Sequence, residues 1–181
     1  MASQAICQNS IEKPLEIGKP NADAKIEVFY DLQCPTCANF HSILKSVEDR
    51  FRDKVFVTFR HFPLGIPAHD KAFLAARVVE AARLQGKGLK MLDLILANQR
   101  KWTAKKNAQA IFYSYAPALK LNIQLFRDDF ESDAVIQAIV RDIERAHSLK
   151  LNSVPTIFVN GKEISFVEAL DLGTVIEKIV K

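Results

Sequence analysis

Two cysteines, Cys34 and Cys37, stand two residues apart in CPTC, immediately after a β-branched and aromatic run and immediately before an amphipathic helical pattern. That juncture constrains the chain more than any other feature. Residues 25–31, KIEVFYD, read as a buried strand following the loop-like GKPNADA. Residues 36–50 carry Phe40, Ile43, Leu44 and Val47 at spacings of three and four, which is one apolar helical stripe. Residues 54–62, KVFVTFRHF, alternate as a second strand and stop at Pro63. Strand, helix and strand in that order make a parallel pair joined by a crossover, so the chain belongs to the α/β class.

From residue 68 to 151 the pattern changes to alanine-rich and leucine-rich segments at helical period. Ala72, Ala75, Ala76, Val79 and Ala82 share one face of a helix that Gly86 and Gly88 are expected to end. Leu89, Leu92, Ile95 and Leu96 mark a second helix, and Ala108, Ile111, Phe112 and Tyr115 a third, expected to break at Pro117. Asn122 and Ser132 read as caps of two further helices. Strands return with PTIFVN, whose Asn160 and Gly161 supply a two-residue hairpin turn. A last helix is expected over 171–181. The reading is a split α/β domain, 12–65 with 150–181, interrupted by a helical subdomain over 66–149.

A thiol at a helix N-terminus faces unpaired backbone N–H groups and the positive end of the macrodipole, and both favour thiolate. Cys34 is that thiol. Cys37, one turn further in, is close enough to form a disulfide with it and more covered by chain, which suits it to resolve rather than attack. Pro35 fits the first turn because its missing N–H would have no partner there. Thr36, between the sulfurs, can tune them through its hydroxyl or its bulk. A stabilised thiolate stabilises the reduced protein and makes the disulfide the stronger oxidant.

Other uses of a cysteine pair are poorly supplied. Structural zinc needs four ligands, and the chain has no second CxxC and no paired spacing among His41, His61, His69 and His147. A c-type haem would need histidine where Ala38 stands. An inert staple at this spacing on a helix start would be unusual. Three cysteines do not make a disulfide scaffold, and Cys7 is left over.

The formal charge of +4 and pI near 9.0 raise the question of nucleic acid, but 25 basic residues are scattered among 21 acids. The dense basic cluster of Arg100, Lys101, Lys105 and Lys106 brackets Trp102 and reads as a solvated face. No nucleic-acid partner is expected. No apolar run has the length of a membrane span, and residues 1–12 lack the hydrophobic stretch of a signal peptide. Ser3 and Ala5 in MASQA do occupy the small-residue positions of a cleavage site.

With EVFYDLQCPTC, FRHFPL and SVPTIFVNG in this order, the sequence resembles the DsbA-like branch of the thioredoxin superfamily over nearly its whole length. The resemblance implies a thioredoxin fold with a helical insertion. It implies Cys34 as the nucleophile that forms a mixed disulfide, Cys37 as the resolving thiol, and a cis bond between Val154 and Pro155 beside the sulfurs. There Val154 and Pro155 would hold a substrate segment through backbone pairing.

The activity implied is introduction of disulfides into exported proteins, with no cofactor beyond the Cys34–Cys37 disulfide. It also implies a monomer, an extracytoplasmic or periplasmic site of action, reduced or unfolded protein clients, and a reoxidising membrane partner of the DsbB or VKOR type. A reductase or isomerase of the same fold, and a non-catalytic binding protein or chaperone, stay open. One departure stands out: many relatives carry a buried acid six residues before the nucleophile, and here that position is Val28. Glu27 is expected on the opposite face of the strand as a surface or strand-end acid, Asp31 to position the loop, and His41 to lie on the helix surface.

Overall fold

The structure, a computed structural model, describes residues 13–181, so Cys7 and the MASQA stretch lie outside the described residues. A five-stranded sheet runs in the order β1-β3-β2-β4-β5, from Leu15–Gly18 (β1), Ala24–Tyr30 (β2), Val55–His61 (β3), Thr156–Val159 (β4) and Lys162–Ile164 (β5). β2 and β3 pair in parallel, joined by the crossover helix Pro35–Phe51 (α1), and every other pairing is antiparallel. This is the thioredoxin-like arrangement that the resemblance implies.

Alternation along β2 sets the layers. Ala24, Ile26, Val28 and Tyr30 join α1's Phe40, Leu44 and Val47 in the main core, whereas Phe29 packs on the other face with Phe62 and Ala146. Between β3 and β4 the chain forms α2 (Ala72–Leu84), α3 (Gly88–Ala97), α4 (Gln99–Thr103), α5 (Ala108–Ala118), α6 (Ile123–Phe130) and α7 (Asp133–Ser148). α2 lies at the centre of this group, against α3, α5, α6 and α7, while α3 also packs on α1 and α7 on β3. The sheet and these helices thus share one apolar core.

Asn122 and Ser132 cap α6 and α7 as expected, and Asn160 and Gly161 both take positive φ in the β4–β5 turn. Four expectations are corrected. β1 is a strand that periodicity misses, because four residues on a sheet edge, paired to β3 from Leu15↔Phe59 to Gly18↔Phe56, are too few to show a period. Gly88 opens α3 rather than closing α2; a Cβ there would stand 2.8 Å from the Arg83 Cβ and 2.9 Å from Leu15, so glycine permits the close approach. Pro117 does not break α5, because it sits one residue from the helix end and forfeits a single bond in the last turn.

The last helix is two pieces. α8 (Phe166–Leu170) begins at a Ser165–Glu168 capping box, and α9 (Leu172–Glu177) stops short of residue 178. There the final turn tightens, with the Ile179 N–H donating to the Ile176 carbonyl, while Lys54 donates to the Val180 carbonyl at 2.9 Å. α9 packs on α1, and α8 packs between α1 and β4.

Candidate active site

The site is built where β2 ends. Asp31, wholly buried, accepts hydrogen bonds from the backbone N–H of Gln33 at 2.8 Å and of Leu64 at 3.0 Å, and pairs with the His69 Nδ1 at 2.8 Å. A buried carboxylate is tolerable only when its lone pairs are satisfied, and these bonds tie the end of β2 to the segment after β3. Gln33 extends the tie: its amide donates to the Ala68 carbonyl and to Asp70, and its oxygen accepts from the Lys71 N–H at 2.7 Å. Gln99, reaching across from α4, donates to the carbonyls of Leu32 at 2.8 Å and Cys34 at 2.9 Å. Neither Gln33 nor Gln99 stands out in the sequence, since nothing local marks their distant partners.

Cys34 occupies the N-cap of α1 in extended conformation, with Pro35 in the first turn. Cys34 keeps 9% of its surface exposed, whereas Cys37 is at 0%, and both are free thiols. The two environments drive the thiols apart. The Cys37 thiol donates to the Cys34 sulfur, and the backbone N–H groups of Cys37 and Thr36 and the Thr36 hydroxyl add to it; against the opposing effect of burial, the Cys34 pKa falls from 9.0 to about 5. Burial, followed by that same donated bond and the charge on Cys34, pushes the Cys37 thiol up. Pro35 lies in the first turn of α1, and Thr36 supplies both backbone and hydroxyl donors to the Cys34 sulfur.

Val154–Pro155 is cis. The β2–β4 register pairs Phe29 with Thr156, so the half-buried Val154 and Pro155 lie just past the end of the ladder, beside the carboxyl end of β2 from which the CPTC loop departs. α8 borders the same region and exposes Phe166, Val167 and Leu170. A cavity of about 750 Å³ opens on the other side of the CPTC turn, lined among others by Pro35, Ala38, His41, Lys45, Asp93 and Arg100.

The remaining candidates divide. Val28 is fully buried, and Glu27 points to the opposite face, where it pairs with Arg60 at 2.9 Å and Arg145 at 3.4 Å. His41 departs from expectation: it is buried, with Nε2 bonded to Asp93 Oδ1 at 2.8 Å and its ring edge-on to Tyr30 at 5.9 Å. α3 covers that face of α1, which the helical period alone does not reveal. His61 is also buried, paired with Glu80 at 3.0 Å. Among the described residues no three of His, Cys, Asp and Glu gather in a way that could hold a metal ion. Arg100, Lys101, Lys105 and Lys106 are exposed around a buried Trp102.

Residues 10–178 match a family model described as thioredoxin (Thioredoxin_4). Among curated proteins, the chain is 34% identical over 167 residues to the Na(+)/H(+) antiporter NhaA 1 of Mycolicibacterium gilvum, covering 86% of this chain and 26% of the antiporter. It is 29% identical over 147 residues to the Na(+)/H(+) antiporter NhaA of Herminiimonas arsenicoxydans, covering 81% of this chain and 22% of that one. The chain thus spans about a quarter of the length of these relatives. No helix among the described residues is long and apolar enough to cross a membrane.

Among solved structures, oxidised BdbD of Bacillus subtilis superimposes with a TM-score of 0.79 at 20% identity, over 94% of this chain and 95% of that one. Alpha-DsbA1 of Wolbachia pipientis gives 0.75 at 19% identity, over 94% and 96%. MdbA of Corynebacterium diphtheriae, a thiol-disulfide oxidoreductase, gives 0.71 at 17% identity, over 90% and 85%. At these identities the likeness is one of fold.

Proposed function

The chain belongs to the thioredoxin family, in the DsbA-like form of that fold, and from this premise we propose that it is a thiol-disulfide oxidoreductase acting as a disulfide donor to exported proteins. The observation that carries this reading is the opposition of the two thiols, Cys34 at about 5 and Cys37 raised by burial. Environments that hold Cys34 as thiolate favour the reduced enzyme, and whatever favours the reduced enzyme makes the disulfide a better oxidant. A substrate thiolate attacks the Cys34 sulfur of the enzyme disulfide, and Cys37 leaves. A second substrate thiolate then attacks the substrate sulfur of the mixed disulfide and releases Cys34 as a stable thiolate. Two electrons have passed from substrate to enzyme.

In this reading Val154, just past the ladder, pairs its backbone with an extended client segment, and the exposed Phe166, Val167 and Leu170 offer apolar contact without sequence reading. Unfolded proteins with reduced cysteines fit such a surface. Turnover requires an oxidant, which we assign to a membrane partner of the DsbB or VKOR type, and an extracytoplasmic, oxidising compartment. No further cofactor is invoked, and catalysis is assigned to the monomer. The antiport named for the curated relatives is not carried over, because the shared part is about a quarter of those proteins.

Equilibration with glutathione buffers tests the reading. A potential toward the oxidising end of the superfamily, lost in Cys34→Ser, is the expected result; one near the reducing, thioredoxin-like end would replace donor by reductase. Alkylation of reduced Cys34 should titrate with a midpoint near pH 5. Because the folded pKa lies below the unfolded 9.0, the thiolate's contribution to the stability of the reduced protein is fully present above pH 9. It is lost as pH falls through about 5, and the oxidised protein lacks it.

A further inference from the structure

Three polar atoms between α1 and β2 have no hydrogen-bond partner among the described residues: the Tyr30 hydroxyl, His41 Nδ1 and, about three turns of α1 beyond Cys37, one carboxylate oxygen of Glu48. Tyr30 is 1% exposed, and the side chains of His41 and Glu48 are 8% and 9% exposed. Buried polar atoms are rarely orphaned, and a cluster of them marks a place for bound water. Their positions are related. Cys37, His41, Leu44 and Glu48 follow one another at four, three and four residues along α1, on the face turned to β2. Tyr30 approaches that face from β2, edge-on to His41 and within electrostatic reach of both Cys37 and Glu48. At its far end Glu48 lines a cavity of about 250 Å³ that opens between α1 and β1 and provides a route to solvent.

Opening or closing the Cys34–Cys37 bond moves a proton at Cys37, because burial disfavours its thiolate. The thiol has no acid beside it at position 28, where Val28 stands. We propose that Tyr30, His41 and Glu48 enclose a hydrated tract along α1 that carries the proton of Cys37, with the Glu48 carboxyl as the relay that exchanges it with solvent. The proposal rests on the thiol-exchange reading above.

During donation, the Cys34–Cys37 bond breaks as the substrate sulfur bonds to Cys34, and the electron pair goes to Cys37. Cys37 then takes a proton from neutral Glu48 through the tract, and Glu48 recovers one from solvent at the cavity. In the reverse direction Glu48 carboxylate receives the Cys37 proton, the Cys37 thiolate attacks Cys34, and the substrate leaves as thiolate. Glu48 suits both roles because burial raises its pKa while Lys45, at 3.1 Å, opposes the rise. The groups facing it are Lys45, Asp49 and His41 from α1, Asp93 from α3 and Tyr30 from β2. Arg52 and Asp53 stand across the cavity. Glu48 does not touch the sulfur and is a positioning and relay group, not a catalytic residue.

The test uses the reduced protein with an aromatic disulfide whose thiolate is coloured. Attack by Cys34 releases one coloured thiolate, and attack by Cys37 on the resulting mixed disulfide releases a second, so the two steps are read separately. In Glu48→Gln the first phase should keep its rate and its midpoint, while the second slows by about a hundredfold, the lower end for general acid–base assistance, and loses its pH dependence. Tyr30→Phe, which keeps the packing and removes only the hydroxyl, should slow the second phase as well and guards against misfolding of the glutamine variant. A second phase unchanged in rate and pH profile in both variants would overturn the relay while leaving thiol exchange standing. Absence of the first phase in the unsubstituted protein would reject both.

Discussion

The sheet-bearing half of the molecule and the helical half contribute to the site by different means. In the first, the sulfurs are set by local backbone: Cys34 at an N-cap, its N–H donating to the Asp31 carbonyl at 3.0 Å, with Thr36 and Cys37 donating to its sulfur. In the second, the ties are side chains that cross long stretches of sequence. Gln99 holds the loop carbonyls from α4, Asp93 holds His41 from α3, and Asp142 holds Arg60 and the His61 N–H from α7. The sheet-bearing half therefore sets the chemistry, and the helical half fixes where that chemistry sits.

The strongest way to break this comparison is at Asp142. It is 5% exposed and accepts from Arg60 at 2.9 Å and from the His61 N–H at 3.0 Å, joining α7 to β3. Removing Asp142 leaves the buried His61 N–H without its acceptor and Arg60 with Glu27 alone, so Asp142→Ala is expected to cost about 3 kcal/mol. Urea unfolding should show it as a lower midpoint at unchanged slope. A loss under about 1 kcal/mol, the range of surface pairs, would mean that the two halves are held by apolar contact alone.

The same division explains what the sequence discloses. Cys34, Cys37, Pro35 and Thr36 follow from one contiguous motif, and the caps Asn122 and Ser132 from residue type beside an apolar period. Val154–Pro155 is legible only through the resemblance, because an X-Pro bond is cis in about one case in twenty and nothing local favours it. Gln99, Asp93 and Asp142 are illegible because their partners lie 65, 52 and 82 residues away. Two signals were available and pass unread by periodicity: a tyrosine at the inward position of β2, and a glutamate on the buried stripe of α1. Each is a polar group placed where the pattern calls for an apolar one.

Gln99 sharpens the comparison at intermediate size. Its amide satisfies two buried carbonyls, so Gln99→Leu should destabilise the protein by about 1–3 kcal/mol. The Cys34 pKa should nevertheless stay near 5, because its lowering comes from Cys37 and Thr36 and not from α4. Thiolate absorbance against pH decides the matter. A Cys34 midpoint that climbs in Gln99→Leu would show that the helical half tunes the sulfur as well as placing it.

The smallest effects separate the halves most cleanly, because two helix caps of similar strength lie one in each. The Asn122 side chain accepts from the N–H groups of Gln124 and Leu125 at 3.1 Å, and the Ser165 hydroxyl accepts from Glu168 at 3.2 Å within a capping box. Replacing either by alanine is expected to cost about 1 kcal/mol. Their consequences for function should differ. α6 packs chiefly on α2, α5 and α7, away from the helix that carries the cysteines, so Asn122→Ala should leave exchange with both small disulfides and unfolded polypeptides unchanged. α8 packs on α1 and β4 and exposes Phe166, Val167 and Leu170, so loosening its first turn should weaken reaction with a reduced, unfolded polypeptide by a few fold while sparing small disulfides. Competition kinetics between the two substrate types measures this directly, and equal behaviour of the two variants would remove α8 from the proposed client surface.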